Sequence, residues 1–201
     1  MYRAISDRGR GVRSIRYDMA RMRKIAGLVE GPVVLDIGYA QVPNPYLTGC
    51  HRVGYDLNAA AKGEVQYDEQ VQGDVRNIRD SLAGRTFDTI ICAEIIEHLH
   101  NPYEFLQDVY CLLRDGGLLI VTTPNPIGFP VFLCEIFRIK KFFYTTEHLY
   151  YFLPRWVERL IEFSGFEMET IRPVGWWLPF GVLGLCPVPL SYQVIYAARK
   201  R

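Results

Sequence analysis

The sequence predicts an α/β fold, in which the strands of a mainly parallel sheet alternate with helices along the chain. The first observation is that short apolar runs, such as Val33–Ile37 and residues 118–122, alternate with segments of helical periodicity. The second is that the first three predicted strands end at or beside aspartates, namely Asp36, Asp56 and Asp74. Because ligands of open α/β sheets bind at the carboxyl ends of strands, these observations predict a binding site along one sheet edge.

The predicted elements follow from periodicity and from helix end signals. Apolar residues at helical spacing predict a helix over 17–29. A second helix is predicted after Asn101, because Asn is a favourable N-cap, Pro102 suits the first helical position and Gly116 can end the helix. A third helix begins at Pro154. The predicted strands are 33–37, 51–55, 71–74, 89–92, 118–122, 166–171 and 192–198.

Length and composition indicate one domain over residues 1–201, of which 49% are apolar and 22% charged. The net charge of +1 gives no general attraction to nucleic acid, so we expect no nucleic-acid partner. Residues 1–24 carry +6 (eight basic minus two acidic), and we interpret 1–30 as a basic N-terminal arm and helix. This segment is either a solvated surface or an arm that meets an anionic substrate or membrane.

The cysteines and the apolar runs bear on location. Five cysteines without CxxC spacing favour a reduced, cytoplasmic setting, and Cys92 and Cys111 are interpreted as small core residues. We expect no signal peptide, because no apolar stretch follows the basic N-terminus. The longest apolar run, 176–190, is interrupted by three prolines, so we also expect no membrane-spanning segment.

Two insertions, 127–152 and 173–190, depart from the alternation of strands and helices and are expected to form a cap on the acceptor side. They are rich in aromatic residues, which are either core or part of a sugar-stacking or lipid-facing pocket. With the neighbouring basic residues, the second alternative includes a lipid-linked acceptor and a peripheral membrane contact. The residues concerned are Arg138, Lys140, Lys141, Phe142, Phe143, Tyr144, Tyr150, Tyr151, Phe152, Trp176 and Trp177.

The loop after the first strand reads DIGYAQVPNPYLTG, over residues 36–49. An apolar strand followed by Asp-x-Gly usually introduces a glycine-rich loop around a nucleotide-like cofactor, but here the later glycines are absent. Asn44 as N-cap, Pro45 as first helical residue and Gly49 as stop predict a very short helix over 45–48. The amides of its first turn, near Tyr46, would attract a carboxylate.

The three aspartates have separate predicted roles. Asp56, 20 residues after Asp36, is placed to accept hydrogen bonds from the two hydroxyls of a ribose. Asp74 can accept from the exocyclic amine of an adenine, with Val75 packed on the ring. Each aspartate alone can equally be a turn residue or helix cap, but three at successive strand ends favour a nucleotide-like ligand.

The sequence resembles the class I S-adenosylmethionine-dependent methyltransferases over most of residues 25–172. The matching segments are VVLDIG, VGYDLN, QGDV, FDTIICAEIIEHLHNPYEFLQDVYCLLRDGGLLIVTTPN and EHLYYFLPRWVERLIEFSGFEMETI. The resemblance implies a Rossmann-like, doubly wound sheet of seven strands, mostly parallel with an antiparallel last strand. It also implies S-adenosylmethionine as cofactor, S-adenosylhomocysteine as product, and cofactor contacts from Asp36, Gly38, Tyr39, Tyr46, Asp56, Leu57, Asp74, Val75, Cys92, Ala93 and Glu94.

The loop departs from the family pattern D-x-G-x-G-x-G, and this bears on the cofactor. A nicotinamide dehydrogenase is the natural rival, but its pyrophosphate needs close backbone approach at the glycines that this loop lacks. S-adenosylmethionine has no phosphate and tolerates the substitution better.

Few side chains are candidates for catalysis. Glu97 and His98 follow the fourth strand, and His148 lies in the first insertion, so each is a candidate base for the acceptor's proton. The alternative is that His98 packs the start of a helix and His148 anchors the insertion. We expect no metal, because His98 and His100 do not face each other on a helix.

We therefore predict a methyltransferase that transfers a methyl group to a small-molecule, sugar or lipid-linked acceptor, with oxygen as the expected methylated atom. The rival is a catalytically inactive protein of the same fold that serves as a binding or scaffold subunit. The sequence leaves the oligomeric state open.

Overall fold

The computed structural model describes residues 12–40, 42–58, 67–129, 131–137, 148–178 and 181–201. Helices and strands alternate through most of these ranges, which confirms the predicted α/β class. In chain order they are α1 (Val12–Ala26), β1 (Val33–Ile37), β2 (His51–Asp56), β3 (Glu69–Gln72), α2 (Ile78–Ser81), β4 (Phe87–Ala93), α3 (Pro102–Leu112), β5 (Leu113–Pro124), α4 (Val131–Ile136), α5 (Pro154–Phe163), β6 (Phe166–Pro173), β7 (Trp176–Leu178), β8 (Gly181–Leu183) and β9 (Gln193–Lys200).

The main sheet has seven strands in the order β3-β2-β1-β4-β5-β9-β6. The pairs among β1 to β5 are parallel, and β9 is antiparallel to both β5 and β6. The predicted seven-stranded sheet with an antiparallel last strand is therefore confirmed. Strands β7 and β8 form a separate antiparallel pair inside the second predicted insertion.

Both faces of the sheet are covered, because alternate residues of each strand enter different apolar clusters. In β1, Leu35 and Ile37 join the cluster under α2, α3 and α5, whereas Val34 joins the cluster that contains Ile25 of α1. The residues that end β1, β2, β4 and β5 then emerge between these two layers, along one edge of the sheet. A doubly wound sheet of this kind positions a ligand at that edge.

Helix α3 begins as its sequence predicts. The side-chain oxygen of Asn101 accepts a hydrogen bond from the Glu104 backbone N–H at 3.2 Å, and the Asn101 amide donates to the Glu104 carboxylate at 2.9 Å. Pro102 is the first helical residue. The helix ends at Leu112, earlier than Gly116, because β5 starts at once with Leu113.

Several sequence expectations were wrong or need narrowing. Helix α1 ends at Ala26 instead of at the predicted residue 29. Cys92 is buried as predicted. Cys111, predicted to be a core residue, is exposed because it lies on the outward face of α3. The first 11 residues of the predicted arm, and residues 138–147 of the first insertion, lie outside the described residues. Among the described helices, none is long and apolar enough to cross a membrane.

Candidate active site

Strand ends at the carboxyl edge of the sheet bring the predicted cofactor residues together. The Gly38 N–H donates to Tyr55 O at 2.8 Å, the Gly73 N–H to Asp56 O at 2.9 Å, and the Glu94 N–H to Thr122 O at 3.0 Å. These bonds continue the ladders past the last strand residues and hold the loops in place. Gly38 has a positive φ of 80°, and a side chain there would collide with Ile95. The turn after β1 therefore requires glycine at this position.

Asp36 is buried and faces Tyr67, whose hydroxyl donates a hydrogen bond to Asp36 Oδ2 at 2.5 Å. The same hydroxyl accepts from the Asn44 N–H at 3.2 Å. Burial raises the pKa of Asp36 to about 7, against the opposing effects of the Tyr67 hydrogen bond and of the Arg21 charge. Tyr67 thereby ties the loop after β1 to the end of that strand.

Aromatic packing stabilises this loop, in which the later glycines of the family pattern are absent. The ring of Tyr39 is buried, lies 4.5 Å from the ring of Tyr67 between centroids, and covers Gly54 of β2. A Cβ on Gly54 would lie 2.5 Å from the Tyr39 ring, so the glycine is required on the strand beneath the loop. Because the Tyr39 ring lies in the core, only its backbone remains for the predicted cofactor contact.

The predicted helix over 45–48 is wrong. Residues 45–46 form a turn, because the Asn44 side-chain oxygen accepts from the Tyr46 N–H at 3.0 Å, only two residues away. The Asn44 amide also donates to Met22 O of α1 at 3.2 Å. Asn44 thus caps a local turn and anchors the loop to α1, as Asn often does in turns. Tyr46 faces outward, with its hydroxyl accepting from Arg23 at 3.2 Å.

Asp56 and Asp74 lie where the sequence places them, and each already has partners. The Asp56 carboxylate accepts from the Ala40 N–H at 3.1 Å and from the Asn58 N–H at 2.8 Å. The Asp74 carboxylate caps a short 3₁₀ turn and pairs with Arg76 at 2.6 Å. Both therefore act as turn or cap residues, and each retains hydrogen-bonding capacity for a ligand because a carboxylate offers about four acceptor positions.

Glu94, directly after β4, is held in a left-handed conformation with φ of 57°. Its carboxylate accepts from the Thr122 hydroxyl at 2.9 Å and from the Gln193 amide at 2.7 Å. Arg21 of α1 lies 3.4 Å from it and 3.1 Å from Asp18. A non-glycine residue in this conformation is strained, and such strain is concentrated at functional sites.

Glu97, His98 and His148 form one cluster beside Glu94. Their ligand-type atoms all lie within 4.8 Å of one another, and the two imidazole rings meet edge to face with centroids 4.7 Å apart. Burial, followed by the Glu94 charge, raises the pKa of the Glu97 carboxyl well above its usual value. Burial, followed by His98, lowers the pKa of His148 to about 4, so that this imidazole is neutral at neutral pH. The structure thus brings together the three residues that the sequence singled out for catalysis.

The remaining predicted residues differ in accessibility. Cys92 is fully buried in the core, where burial raises the pKa of its thiol, so only its backbone can contact a ligand. Leu57 is exposed, and Val75 and Ala93 are half-buried at the carboxyl edge. These three can contribute apolar contacts to a bound ring.

Sequence reasoning missed four residues that shape the site: Arg21, Tyr67, Thr122 and Gln193. Two of them carry a signal in the sequence. Thr122 ends the predicted strand 118–122, and Arg21 lies in the predicted basic helix, but nothing in the sequence shows that this helix reaches β4. Tyr67 and Gln193 are brought to the edge by the sheet, from segments that carry no motif. Their roles depend on tertiary contacts, which a single sequence does not reveal.

The residues present fit S-adenosylmethionine. The Arg21 side chain is buried, and its Nε has no hydrogen-bond partner within the ranges that the structure describes. Arg21 already pairs with Asp18 and Glu94, so it can add one hydrogen bond to a carboxylate, from Nε. The turn at Gly38 is tight, because the Ile95 side chain packs where a Cβ at this position would lie. Asp56 can hold ribose hydroxyls, Asp74 an adenine amine, and Arg21 the methionyl carboxylate.

The seven-stranded sheet order β3-β2-β1-β4-β5-β9-β6, with β9 antiparallel to its neighbours, is the topology of the class I methyltransferase fold. The family described as methyltransferase domain matches residues 13–171, and the chain belongs to it. The domain is therefore that of an S-adenosylmethionine-dependent methyltransferase.

Solved structures share this fold. An S-adenosylmethionine-dependent methyltransferase from Archaeoglobus fulgidus superposes with a TM-score of 0.71 at 19% identity, covering 95% of this chain and 96% of that chain. Magnesium protoporphyrin IX methyltransferase from Synechocystis, solved with bound S-adenosylhomocysteine, gives 0.60 at 15% identity over 98% and 90% of the two chains.

Among curated relatives, the mitochondrial ubiquinone biosynthesis O-methyltransferase of Rattus norvegicus is 28% identical over 112 residues. The match covers 52% of this chain and 32% of the relative. The chain therefore spans about a third of the length of that relative.

Proposed function

We propose that this protein is an S-adenosylmethionine-dependent O-methyltransferase that acts on a small-molecule acceptor. The observation that carries the proposal is the cluster of Glu97, His98 and His148, which lies directly beyond the cofactor residues at the end of β4. Oxygen as the methylated atom is supported by the name of the Rattus norvegicus relative, an O-methyltransferase.

When bound, S-adenosylmethionine supplies a methyl group on a positively charged sulfur. Asp56 accepts hydrogen bonds from its ribose, and Arg21 neutralises its carboxylate. Glu94, whose carboxylate is already engaged by Thr122 and Gln193, would line the cofactor site at the end of β4 with its backbone. Positioning of this kind supplies much of the rate enhancement of a group transfer.

The cluster provides the place where the acceptor hydroxyl loses its proton. A hydroxyl is a weak nucleophile until it is deprotonated, and the imidazoles of His98 and His148 meet in this cluster with ring centroids 4.7 Å apart. Glu97 lies behind them and fixes the insertion, since its backbone oxygen accepts from the Leu149 N–H at 2.8 Å and from the Tyr150 N–H at 3.2 Å.

Exposed apolar residues near this edge favour an acceptor with an apolar part. Phe129 lies 6.2 Å from Trp176 between ring centroids, and Phe132, Ile136 and Phe137 of the first insertion are exposed. A lipid-linked or sugar acceptor, a peripheral membrane contact and a cytoplasmic location stay predictions. Co-sedimentation with anionic vesicles tests the membrane contact.

Calorimetry with S-adenosylhomocysteine tests the cofactor assignment. We expect Asp56→Asn to weaken binding by roughly 10-fold or more, because a charge-assisted hydrogen bond contributes about 1.5–3 kcal/mol. Asp68→Asn is the matched control, since Asp68 also accepts a backbone N–H, from Arg52 at 2.8 Å, but at the amino end of β2. Equal affinities of wild type and Asp56→Asn would show that the ribose is not bound there.

The inactive scaffold alternative makes a different prediction. A protein without activity shows no methyl transfer from S-adenosylmethionine to any acceptor of a diverse phenol and alcohol panel, and His98→Ala then changes nothing. If the protein is an enzyme, His98→Ala and His148→Ala lower kcat while S-adenosylhomocysteine affinity stays within about twofold, because neither residue belongs to the cofactor contacts.

A further inference from the structure

Gln193, the first residue of β9, carries a side-chain amide of which one end is engaged. It lies opposite Pro124, at the carboxyl end of β5, and its Nε2 donates to Glu94 Oε2 at 2.7 Å. Because a carboxylate only accepts hydrogen bonds, the amide nitrogen must face Glu94 and the amide oxygen must point away from it. That oxygen, Oε1, is buried and has no hydrogen-bond partner among the described residues.

The Gln193 amide is held in this orientation by its surroundings. The other oxygen of Glu94 accepts from the Thr122 hydroxyl at 2.9 Å and lies 3.4 Å from Arg21. The Gln193 backbone carbonyl accepts from the Val174 N–H at 3.1 Å. The protein therefore presents a hydrogen-bond acceptor in a fixed position at this end of the sheet, as binding sites for small molecules do.

Trp176 supplies a second unsatisfied group, of the opposite kind. Its indole N–H can only donate, and the nitrogen is buried without a partner in the part of the chain that the structure describes. The Tyr192 N–H donates to Gly175 O at 3.1 Å, which places Trp176 beside the segment that leads into Gln193. A hydrogen-bond acceptor and a hydrogen-bond donor thus lie at the same end of β9.

Aromatic rings border these two groups. The ring of Phe129 lies 6.2 Å from the ring of Trp176 between centroids, and the Phe129 N–H donates to Leu190 O at 3.0 Å. Phe129 is 42% exposed, so this aromatic pair can be reached from solvent. Aromatic side chains beside a few directed polar groups are typical of small-molecule sites.

The polarity of the pair selects one kind of ligand group. Buried polar atoms are normally satisfied, so two unsatisfied atoms of opposite kind indicate a ligand. A single hydroxyl can donate to Gln193 Oε1 and accept from the Trp176 indole N–H. A carboxylate has no hydrogen to donate to Gln193, and it would lie close to the Glu94 carboxylate.

We propose that Gln193 and Trp176 form an acceptor subsite that binds an uncharged hydroxyl group, in addition to the oxygen that is methylated. The inference rests on the proposed function, in which the reacting oxygen lies at the glutamate–histidine cluster after β4. The acceptor is then a molecule with at least two hydroxyl groups, whose ring packs against Phe129 and Trp176. Gln193 and Trp176 determine specificity and take no part in the proton transfer.

Equilibrium binding tests the subsite without methyl transfer. Wild type saturated with S-adenosylhomocysteine is titrated by calorimetry at neutral pH with ortho-, meta- and para-dihydroxybenzene, with phenol and with the corresponding hydroxybenzoic acids. We expect at least one dihydroxybenzene to bind roughly 10-fold more tightly than phenol, because phenol leaves the buried atoms unpaired. The hydroxybenzoic acid of the same substitution pattern should bind more weakly than this dihydroxybenzene.

Two variants remove the hydrogen bonds separately. Trp176→Phe keeps an aromatic ring but removes the indole N–H, and Gln193→Met keeps the length of the side chain but removes the amide. Each should reduce the preference for the dihydroxybenzene over phenol to less than about threefold, because only the ligand with the second hydroxyl uses the subsite.

Matched controls separate recognition from general effects. Trp156→Phe removes the indole N–H of an exposed tryptophan on α5 and should leave the preference unchanged. Thr122→Val removes the other side-chain hydrogen bond to Glu94, so it should change the affinities for dihydroxybenzene and phenol by the same factor. An unchanged preference in both Trp176→Phe and Gln193→Met, or the absence of any dihydroxybenzene that binds more tightly than phenol, would overturn the proposal.

The same proteins distinguish this proposal from the proposed function. S-adenosylmethionine then replaces S-adenosylhomocysteine, and methylated product is measured for every ligand of the series. Selective binding of a dihydroxybenzene without any product rejects the proposed function and leaves the subsite standing. Methyl transfer without a preference for the second hydroxyl rejects the subsite alone.

Discussion

At the residue scale, two tyrosines stabilise the loop after β1, which lacks the later glycines of the family pattern. A glycine loop normally lets the backbone approach the ligand closely. Here Tyr39 packs on Gly54, and Tyr67 bonds both Asp36 and the Asn44 N–H. Gly54 of the strand beneath thus makes the close contact with the loop. Beyond the turn at Gly38, the loop is held by the hydrogen bonds of Tyr67.

Asp36 makes stability depend on pH in a direction that can be measured. The pKa of Asp36 is raised by burial to about 7 in the folded protein, while an unfolded carboxyl titrates near 4. Between these values the folded state holds a proton that the unfolded state has lost, so stability falls as pH rises from about 4 to 7. Asp36→Asn removes this loss while keeping an acceptor for Tyr67.

We therefore expect the stability of Asp36→Asn relative to wild type to increase by roughly 2–3 kcal/mol between pH 5 and pH 8, measured by urea unfolding at each pH. The ionisable groups that interact with Asp36 are Tyr67, Arg21, Asp56 and Cys92, and none of them is replaced in the variant. Asp115→Asn, on an exposed carboxylate, is the control and should show no such trend. A constant difference across this range would contradict the assignment.

At the element scale, helix α1 is the part that joins the cofactor loop to the sheet edge. Its Met22 carbonyl accepts from Asn44, its Arg21 pairs with Glu94, and its Lys24 donates to Pro173 O at 2.8 Å. The helix therefore contacts the loop after β1, the end of β4 and the end of β6. Basic residues in its last turn also suit the negative end of the helix dipole.

The Arg21–Glu94 pair can be tested by a double-mutant cycle. Arg21→Met leaves a half-buried carboxylate without its cation and is expected to cost about 3 kcal/mol in the free energy of unfolding. In a Glu94→Gln background the same change should cost less than half as much, because the charge is already gone. Chemical denaturation measures all four proteins. Arg201→Met, which breaks the exposed pair with Glu167, is the control and should leave the free energy of unfolding nearly unchanged. Additive effects of the Arg21 and Glu94 substitutions would refute the coupling.

Helix starts and strand ends that depend on neighbouring residues could be predicted from the sequence. Features that depend on tertiary contacts could not. The signals at the start of α3 are adjacent in sequence, so Asn101 and Pro102 were enough to predict where it begins. Asn44 was also predicted to be an N-cap. Its amide instead donates to the Met22 carbonyl, and its oxygen accepts from Tyr46 in a local turn, so no helix forms. The aspartates of the site were found because strand ends follow from periodicity, whereas Tyr67 and Gln193 reach the site only through the sheet.

At the scale of the whole molecule, one sheet edge gathers residues from along most of the chain. The ends of β1, β2 and β4, the N-terminal helix and the segment around His148 all meet there, while both sheet faces are closed by apolar clusters. A ligand at this edge contacts many elements at once. Its binding should therefore stabilise the domain as a unit, as binding to the native state alone does.

Thermal unfolding with S-adenosylhomocysteine measures this coupling. At a ligand concentration of about 100 Kd, binding contributes about 2.7 kcal/mol. For a chain of 201 residues, about 1 kcal/mol shifts Tm by roughly 2–4 °C, so we expect an increase of about 5–10 °C in scanning fluorimetry. Hydrogen exchange should show the added protection in α1 as well as in the loop after β1, because Arg21 and Asn44 link them. Adenosine alone is the control: it lacks the carboxylate that Arg21 is expected to bind, so it should add no protection in α1. With S-adenosylhomocysteine, protection confined to the loop would show that α1 does not take part in cofactor binding.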